Sequence, residues 1–397
     1  MFKHAQSSLI NRHACIDNND TSYGYEGPLK RAIDVANHYG FTLSRPLTIN
    51  KEDLAFGKKH HCPAHHVAAL RTFVTNDVQQ GNVILAAHTR KVPYKKNVEL
   101  RLEIIGDKES SAEGLLFQTV QAILQEYGLK EASAMINSVG GRESVATYVQ
   151  AISSYYRSHL HELEPSCREA FKESVFAPLR CNHNKCIAVR NEAPQAINYL
   201  SEPSRAHFKE VLEYLESLEI PYSLDPFLVS PEQYASRTIF SFNPSDNDSN
   251  SNNPIAYGER YDSLSRRLGH KRSIPAIQAT LSLPMRTVKE RYIIQKRQSK
   301  TPPIFVVQVG LQAKIKTLSV GEHLRKARIR VHSVLHKNSV SEQMDKARKL
   351  GSPLVVIIGQ KEVFDGAAIV RNMITNQQDA VPFARLSEYL KRRSQRA

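Results

Sequence analysis

Two short stretches concentrate side chains that bind metals or move protons. His60-His61-Cys62-Pro63-Ala64-His65-His66 offers four imidazoles and a thiol, and Cys181-Asn182-His183-Asn184-Lys185-Cys186 offers two thiols and an imidazole. Thiolate and imidazole are the ligands zinc prefers, but a structural zinc site takes four, usually from two paired knuckles. Neither stretch has an evident second half, so no metal site is expected and both read as histidine-bearing surface loops. The five cysteines (Cys15, Cys62, Cys167, Cys181, Cys186) form no disulfide framework in a chain of 397 residues, and reduced thiols follow.

The other chemistry is electrostatic. The formal net charge is +15, and it is unevenly placed. Residues 301–397 carry 17 Lys and Arg against 7 Asp and Glu, and residues 271–300 carry 8 against 1, which leaves the first 270 residues at −2. Cationic charge confined to one end favours a polyanionic partner there, and nucleic acid is the commonest. Arg325, Lys326, Arg328, Arg330, Arg371, Lys391, Arg392 and Arg393 are the candidate phosphate contacts. A hydrophobic content of 41% and a charged content of 23% describe a soluble globular chain, with length for two or three domains. No apolar run reaches eighteen residues, which speaks against a membrane span. Met1 to Ile16 lacks the apolar block of a secretory signal, so a cytoplasmic setting is expected.

These groups need elements to hold them. Pro28–Tyr39 reads as a helix stopped by Gly40, and Phe41–Pro46 as a short strand. Asn82–Ala87 is an apolar strand, and Val98–Ile105 alternates at period two, the pattern of a strand with one buried face. Ser111–Tyr127 reads as a helix capped by Ser111, and Ser133–Val139 as a strand. A helical region spans Ser144–Leu218, in which Phe208, Val211, Leu212, Leu215 and Leu218 form a stripe. Strands return at Tyr222–Val229 and Arg237–Phe242. Asn243–Pro254 is too polar to bury a core and reads as an exposed loop. Strands interrupted by a helical insertion predict an α+β domain on an antiparallel sheet. Beyond a link at Gln295–Pro303, the runs Ile304–Val309 and Leu354–Ile358 fit strands buried on both faces of a parallel sheet. Helices at Leu318–Ala327 and Val340–Leu350 and a strand at Val331–Leu335 complete a compact α/β domain without a Gly-rich phosphate loop.

Several stretches then resemble, in order, the histidyl-tRNA synthetase family. Gly258-Glu259-Arg260-Tyr261-Asp262 resembles its GGRYD, and Pro275-Ala276-Ile277 falls where its motif 3 begins. Ile220–Val229, followed by Tyr234 and Arg237-Thr238-Ile239-Phe240, resembles the strand carrying LVRGLDYYTRTVF. Met135–Gly140, Cys181 to Cys186, Ala193-Pro194, Tyr199-Leu200, Ile357-Ile358-Gly359 and Val370–Met373 also fit. The resemblance covers roughly residues 25–395. It implies a class II aminoacyl-tRNA synthetase-like antiparallel-sheet core over residues 1–300, with the helical insertion at about 144–218. It also implies an anticodon-binding-like α/β domain over 301–397, and a homodimer through the region near Leu43–Pro46.

The departures concern catalysis. Class II synthetases hold ATP through one arginine in motif 2 and one in motif 3, whose charges offset the negative charge built up at the α-phosphate. Alignment through Pro93 puts Thr89 at the first position, with Arg90 one residue away. Alignment through Pro275 puts Pro284-Met285 where the family has Glu-Arg, with Arg286 displaced by one. The family's catalytic arginine, in RGLDYY, corresponds to Ser230, and Gln233 replaces the acid that recognises histidine. The family's Leu-Arg-Pro-Glu has no counterpart between Lys51 and Ile84. At roughly 3–4 kcal/mol of transition-state stabilisation per group, aminoacylation is not expected. Thr89, Ser230, Gln233 and Met285 are therefore substituted positions. Arg260, Tyr261, Asp262, Tyr234 and Arg237 are residual motif residues, and Gln278, Thr280 and Ser282 could line a remodelled pocket. No cofactor is expected; ATP and Mg would enter only with retained catalysis. The reading is a synthetase-like protein without aminoacylation activity that binds tRNA or another structured RNA through its basic C-terminal half. One alternative is a regulatory subunit similar to the synthetase-like partner of ATP phosphoribosyltransferase. Another is an active histidine–tRNA ligase in which Arg90 or Arg286 serves for a lost arginine.

Overall fold

The computed structural model describes residues 28–44, 47–76, 83–91, 97–129, 132–230, 234–243, 254–284 and 304–394. The first unit is built on an eight-stranded sheet of order β1-β2-β3-β8-β7-β6-β4-β5. Its strands are β1 (Thr42–Leu43), β2 (Ile84–Lys91), β3 (Asn97–Ile105), β4 (Ser133–Gly140), β5 (Tyr222–Leu224), β6 (Ser236–Asn243), β7 (Ala256–Arg260) and β8 (Ala276–Pro284). Every neighbouring pair is antiparallel except the two edge pairs, β1 with β2 and β4 with β5. The antiparallel core expected from the alternating strands is therefore present.

One face of this sheet is covered by helices. Leu100, Leu102 and Ile104 of β3 and Ile277, Ala279 and Leu281 of β8 join α1 (Pro28–His38), α4 (Ser111–Glu126) and α8 (Glu202–Ser217) in one apolar core. Every residue of α4 from Ser111 to Leu124 is buried, as befits a helix enclosed on all sides. Ser110, not Ser111, precedes its first turn, and its hydroxyl bonds Glu210 rather than capping the helix. Close approach explains Gly114: a Cβ there would lie 2.6 Å from the ring of Tyr214 on α8. The helical stretch holds α5 (Arg142–Ser158), α6 (Pro165–Glu173), α7 (Asn184–Asn191) and α8, with short 3-10 turns between. Only Tyr222–Leu224 of the expected Tyr222–Val229 strand pairs, because it is an edge strand whose chain turns away after Asp225.

Two helices, α2 (Lys51–His60) and α3 (Ala64–Asn76), cross the opposite face of the sheet and were not anticipated in the sequence. Their junction is the His60–His66 stretch, and it is not a surface loop: His66 is fully buried. The stretch Asn50–Asp53 opens α2 with a reciprocal capping box.

The second unit has a five-stranded sheet of order β10-β9-β11-β12-β13, made of β9 (Ile304–Gln308), β10 (Val331–Ser333), β11 (Leu354–Ile358), β12 (Ala367–Asn372) and β13 (Gln378–Pro382). The parallel sheet expected there is only half right. β10, β9 and β11 run parallel, and β12 and β13 add an antiparallel hairpin. α10 (Leu311–Lys326), α11 (Val340–Lys349), the short α12 (Gln360–Phe364) and α13 (Phe383–Ser394) accompany it. Ile315 and Leu318 of α10, with Leu335, belong to the first unit's apolar core. Polar contacts reinforce this seam: Tyr39 donates to Glu322 at 2.5 Å, and Arg325 donates to Glu126 at 2.9 Å. Among the described residues no helix is long and apolar enough to cross a membrane.

Candidate functional site

Side chains directly opposite one another in an antiparallel pair share a face, so the register sorts the site residues. His88 pairs with Arg101 and Arg90 with Glu99, on the face that carries α2 and α3. Thr89 pairs with Leu100, which is fully buried among the helices on the other side. Thr89 therefore faces the helices, and Arg90 faces the other side of the sheet with Arg101 beside it. Ser230 is buried. Gln233, Met285 and Arg286 lie outside the described residues, as do the linker and residues 285–300 of the basic stretch 271–300.

The site face has a closed end and a more open end. At the closed end, β7 and β8 present Glu259 and Gln278 to each other, and Glu103 stands across from Gln278 on β3. All three are buried, and α3 lays His66 over them. The His66 ring stacks on Tyr261 with centroids 4.2 Å apart and planes 11° apart, and meets Tyr234 edge-on at 5.4 Å. Its Nε2 lies 3.9 Å from Glu259. Burial keeps this imidazole neutral, far below the usual histidine range. Neighbouring His65 is pushed down to about 3, by burial and then by Arg101 and Arg90. Tyr234 donates to Glu259 at 2.5 Å, which fixes the phenol under the histidine. Thr280 donates to Gln278 at 2.9 Å, and Asn97 to Ser282 at 3.0 Å, so these polar residues of β8 are tied to the sheet. At the open end Arg90 is exposed, and Arg101 reaches Thr280 at 3.4 Å. Arg90 and Arg101 can meet an anion; the buried carboxylates behind them cannot.

The remaining motif residues serve the fold. Arg260 points to the helix face, where it is fully buried. Its Nε and one terminal nitrogen grip Glu113 of α4 at 2.8 and 2.5 Å, and the other donors reach the Asp107 carbonyl at 2.9 Å, the Glu109 carbonyl at 3.3 Å and Asp262 at 3.4 Å. All five guanidinium N–H groups are thereby used. His207 on α8 bonds Glu113 at 2.8 Å and receives Arg237 at 2.7 Å. Since Arg237 can only donate, His207 carries its proton on Nε2. Burial alone would raise the Glu113 carboxyl, but Arg260 and then His207 outweigh it and hold it far below the carboxylate range. Arg237 adopts a left-handed φ of 55° where β6 slips register, and this bend aims it back at the cluster around Glu113. The glycine of the motif is required by packing, since a Cβ on Gly258 would sit 2.3 Å from both Phe240 and the Gln278 carbonyl.

The basic residues of the second unit gather at one end. Ile304, Val331, Leu354 and Asn372 share the strand row at which β9, β10 and β11 begin. α10, α11 and α13 all finish at that end, which brings Lys326, Arg328, Arg330, Arg371, Lys391, Arg392 and Arg393 together. Lys346, Arg348 and Lys349 of α11 join them, and sequence reasoning missed these three. Their spacing in the chain gave no reason to group them. Arg325 differs: Glu322 and Glu126 hold its guanidinium inside the seam, where its side chain is only 13% exposed. It is not part of the cationic surface. Lys326, Arg348, Arg392 and Arg393 have acidic neighbours, but exposed pairs of this kind are weak enough to exchange for another anion.

The structure also corrects the reading of the cysteines. Cys167, on α6, comes to Cys181 and Cys186, and the three Sγ atoms lie within 4.8 Å of one another. Residues 182–185 are exposed, as expected of a surface segment, but Cys186 at the start of α7 and Cys167 on α6 are buried beneath it.

A mostly antiparallel sheet backed by helices, with a helical insertion and a mixed C-terminal α/β domain, defines a class II aminoacyl-tRNA synthetase-like protein. Residues 304–393 match the family described as anticodon binding domain. The chain is 29% identical over 300 residues to a histidine–tRNA ligase of Dehalococcoides mccartyi, spanning 74% of this chain and 70% of that protein. It is 30% identical over 294 residues to the histidine–tRNA ligase of Thermosynechococcus vestitus, spanning 73% and 67%. Apo histidyl-tRNA synthetase of S. aureus is similar in fold, with a TM-score of 0.50 and 23% identity over 91% of this chain and 94% of that one. This chain belongs to the histidyl-tRNA synthetase-like family.

Proposed function

We propose that this protein binds tRNA or another structured RNA through the basic end of its C-terminal domain and does not aminoacylate. The observation that carries the reading is convergence: two helix C-termini and the end of one strand, distant in sequence, deliver Lys326, Arg328, Arg330, Arg371 and Lys391–Arg393 to one end of an anticodon-binding-type domain. The loss of catalysis is supported by His66, whose ring lies flat on Tyr261 over Glu259, and by the neutral Ser230 where the resemblance implies an arginine. A homodimer and a cytoplasmic setting belong to the same proposal. The second reading, an active ligase with a divergent site, is favoured by Arg90 and Arg101, which stand on the face where the phosphates of ATP would lie.

The test pairs two assays on the full chain. Binding to total tRNA is followed across a salt titration, with sequencing of what is retained, for the protein and for a Lys326→Ala, Arg328→Ala, Arg330→Ala variant. Salt-sensitive binding is expected, and the variant's slope should be shallower by about 0.7–0.9 for each phosphate it no longer neutralises. Absence of binding at moderate salt refutes the RNA reading. Histidine- and ATP-dependent charging of tRNA refutes the inactive reading and installs the second.

A further inference from the structure

We propose that the helical insertion binds one zinc ion through the thiolates of Cys167, Cys181 and Cys186, with His183 as fourth ligand. The three thiols come from three separate pieces of chain: α6, the segment after the 3-10 turn at Pro178–Arg180, and the first turn of α7. Their Sγ atoms lie within 4.8 Å of one another. A Zn–S bond of about 2.3 Å in a tetrahedron places sulfurs about 3.8 Å apart, so the cluster needs to contract by no more than about an ångström. Backbone N–H groups already point at two of the sulfurs: Glu164 donates to Cys186 at 3.4 Å, and His183 donates to Cys181 at 3.5 Å. Such donors stabilise a thiolate more than a thiol.

His183 would complete the set by turning its exposed ring toward the trio, whose 4.8 Å cluster it does not join here. His183 is two residues from Cys181, and its Nε2 lies 3.5 Å from a Glu164 oxygen. A carboxylate on one ring nitrogen leaves Nδ1 for the metal, which is the arrangement that orients metal-bound histidines. Three thiolates and a neutral imidazole leave the zinc complex with one negative charge, and three thiol protons go to solvent on binding. The Arg190 guanidinium stands ready to offset that charge, donating to the Cys181 carbonyl at 3.5 Å and the Leu179 carbonyl at 3.2 Å. A disulfide would use two of the sulfurs and strand the third. A purely apolar role fits Cys167 and Cys186 but not Cys181, which is partly exposed, nor His183, whose side chain is 47% exposed and gives the ion a way in. The ion would tie α6 to α7 around a small core that includes Leu163, Leu179 and Val189.

The full chain, produced with zinc in the medium and dialysed, should hold one zinc per protein by mass spectrometry. The same protein stripped and titrated with Co2+ should develop the intense d–d and thiolate charge-transfer bands of a tetrahedral thiolate site. Cys181→Ser should lose the stoichiometric zinc. His183→Ala, at an exposed position that leaves the fold intact by circular dichroism, should alter the Co2+ spectrum and weaken binding about tenfold or more. Glu164→Gln should weaken it about 10–100-fold. Folded protein that carries no zinc and shows no charge-transfer band overturns the site. Zinc retained by Cys181→Ser overturns it too, and an unchanged spectrum and affinity in His183→Ala overturns the assignment of the fourth ligand.

Discussion

Glu113→Gln tests whether Arg260, a residue of the family motif, is structural rather than a remnant of catalysis. The substitution keeps the shape but removes the charge that faces a fully buried guanidinium, and it puts an amide NH2 where an acceptor oxygen stood. Arg260 would be left with Asp262, a partly exposed carboxylate 3.4 Å away, and two carbonyl oxygens. Orphaning one member of a buried ion pair costs about 3–5 kcal/mol, because the remaining charge keeps its desolvation penalty and loses its partner. His207 loses the carboxylate on its Nε2 as well. Adding Arg260→Met should recover part of the loss by removing the orphaned charge, with a coupling of about 2 kcal/mol between the sites. The chain has no tryptophan, so urea unfolding is followed by circular dichroism and tyrosine fluorescence. There is a matching pH effect. Glu113 is depressed in the folded protein relative to 4.5, so its contribution is present above about pH 4.5 and fades as the pH falls below it. Glu113→Gln should lack that acid-side loss. A cost below about 1 kcal/mol, or additive single and double variants, would refute the reasoning.

Two further outcomes concern the same region. Burial pushes the Asp107 carboxyl up to about 6 from 3.8, so the folded protein holds an extra proton in that window and loses stability as the pH rises through it. Asp107→Asn, which can still accept from the Glu109 N–H, should flatten this slope and add up to about 3 kcal/mol above pH 6; an unchanged slope refutes the assignment. His66→Ala should open an imidazole-sized space against Tyr261 and make the protein responsive to free imidazole. At ten times its Kd the additive should stabilise the variant by about 1.4 kcal/mol and leave the parent unmoved, whereas equal shifts in both would refute the plug.

The sequence revealed the layout well where periodicity was strong. The alternation of Val98–Ile105 gave β3 nearly to the residue, and the Phe208, Val211 and Leu215 stripe gave α8. The helix at Leu318–Ala327 starts earlier, at Leu311, because its first turns pack on the other unit's core and carry no simple amphipathic stripe. α2 and α3 escaped notice for a related reason: their histidines read as polar loop residues, yet His66 is stacked and buried. The site depended on parity. Only the pairing of β2 with β3 shows that Thr89 faces the helices and Arg90 the site, and a one-residue slip in alignment exchanges the two faces. Cys167 was invisible because a third ligand on a separate helix has no spacing rule relative to Cys181 and Cys186.

The seam between the two units makes each dependent on the other. α10 contributes Ile315 and Leu318 to the sheet domain's interior while its last turn opens the cationic end, so one helix is rooted in one body and displays the chemistry of the other. Excising the C-terminal domain would uncover those side chains and strand Arg325 and Glu322 without Glu126 and Tyr39. The core then acts as the foundation on which the basic end of the second unit is held. Selection on that surface would preserve the scaffold beneath it whatever happened at the sheet's other face.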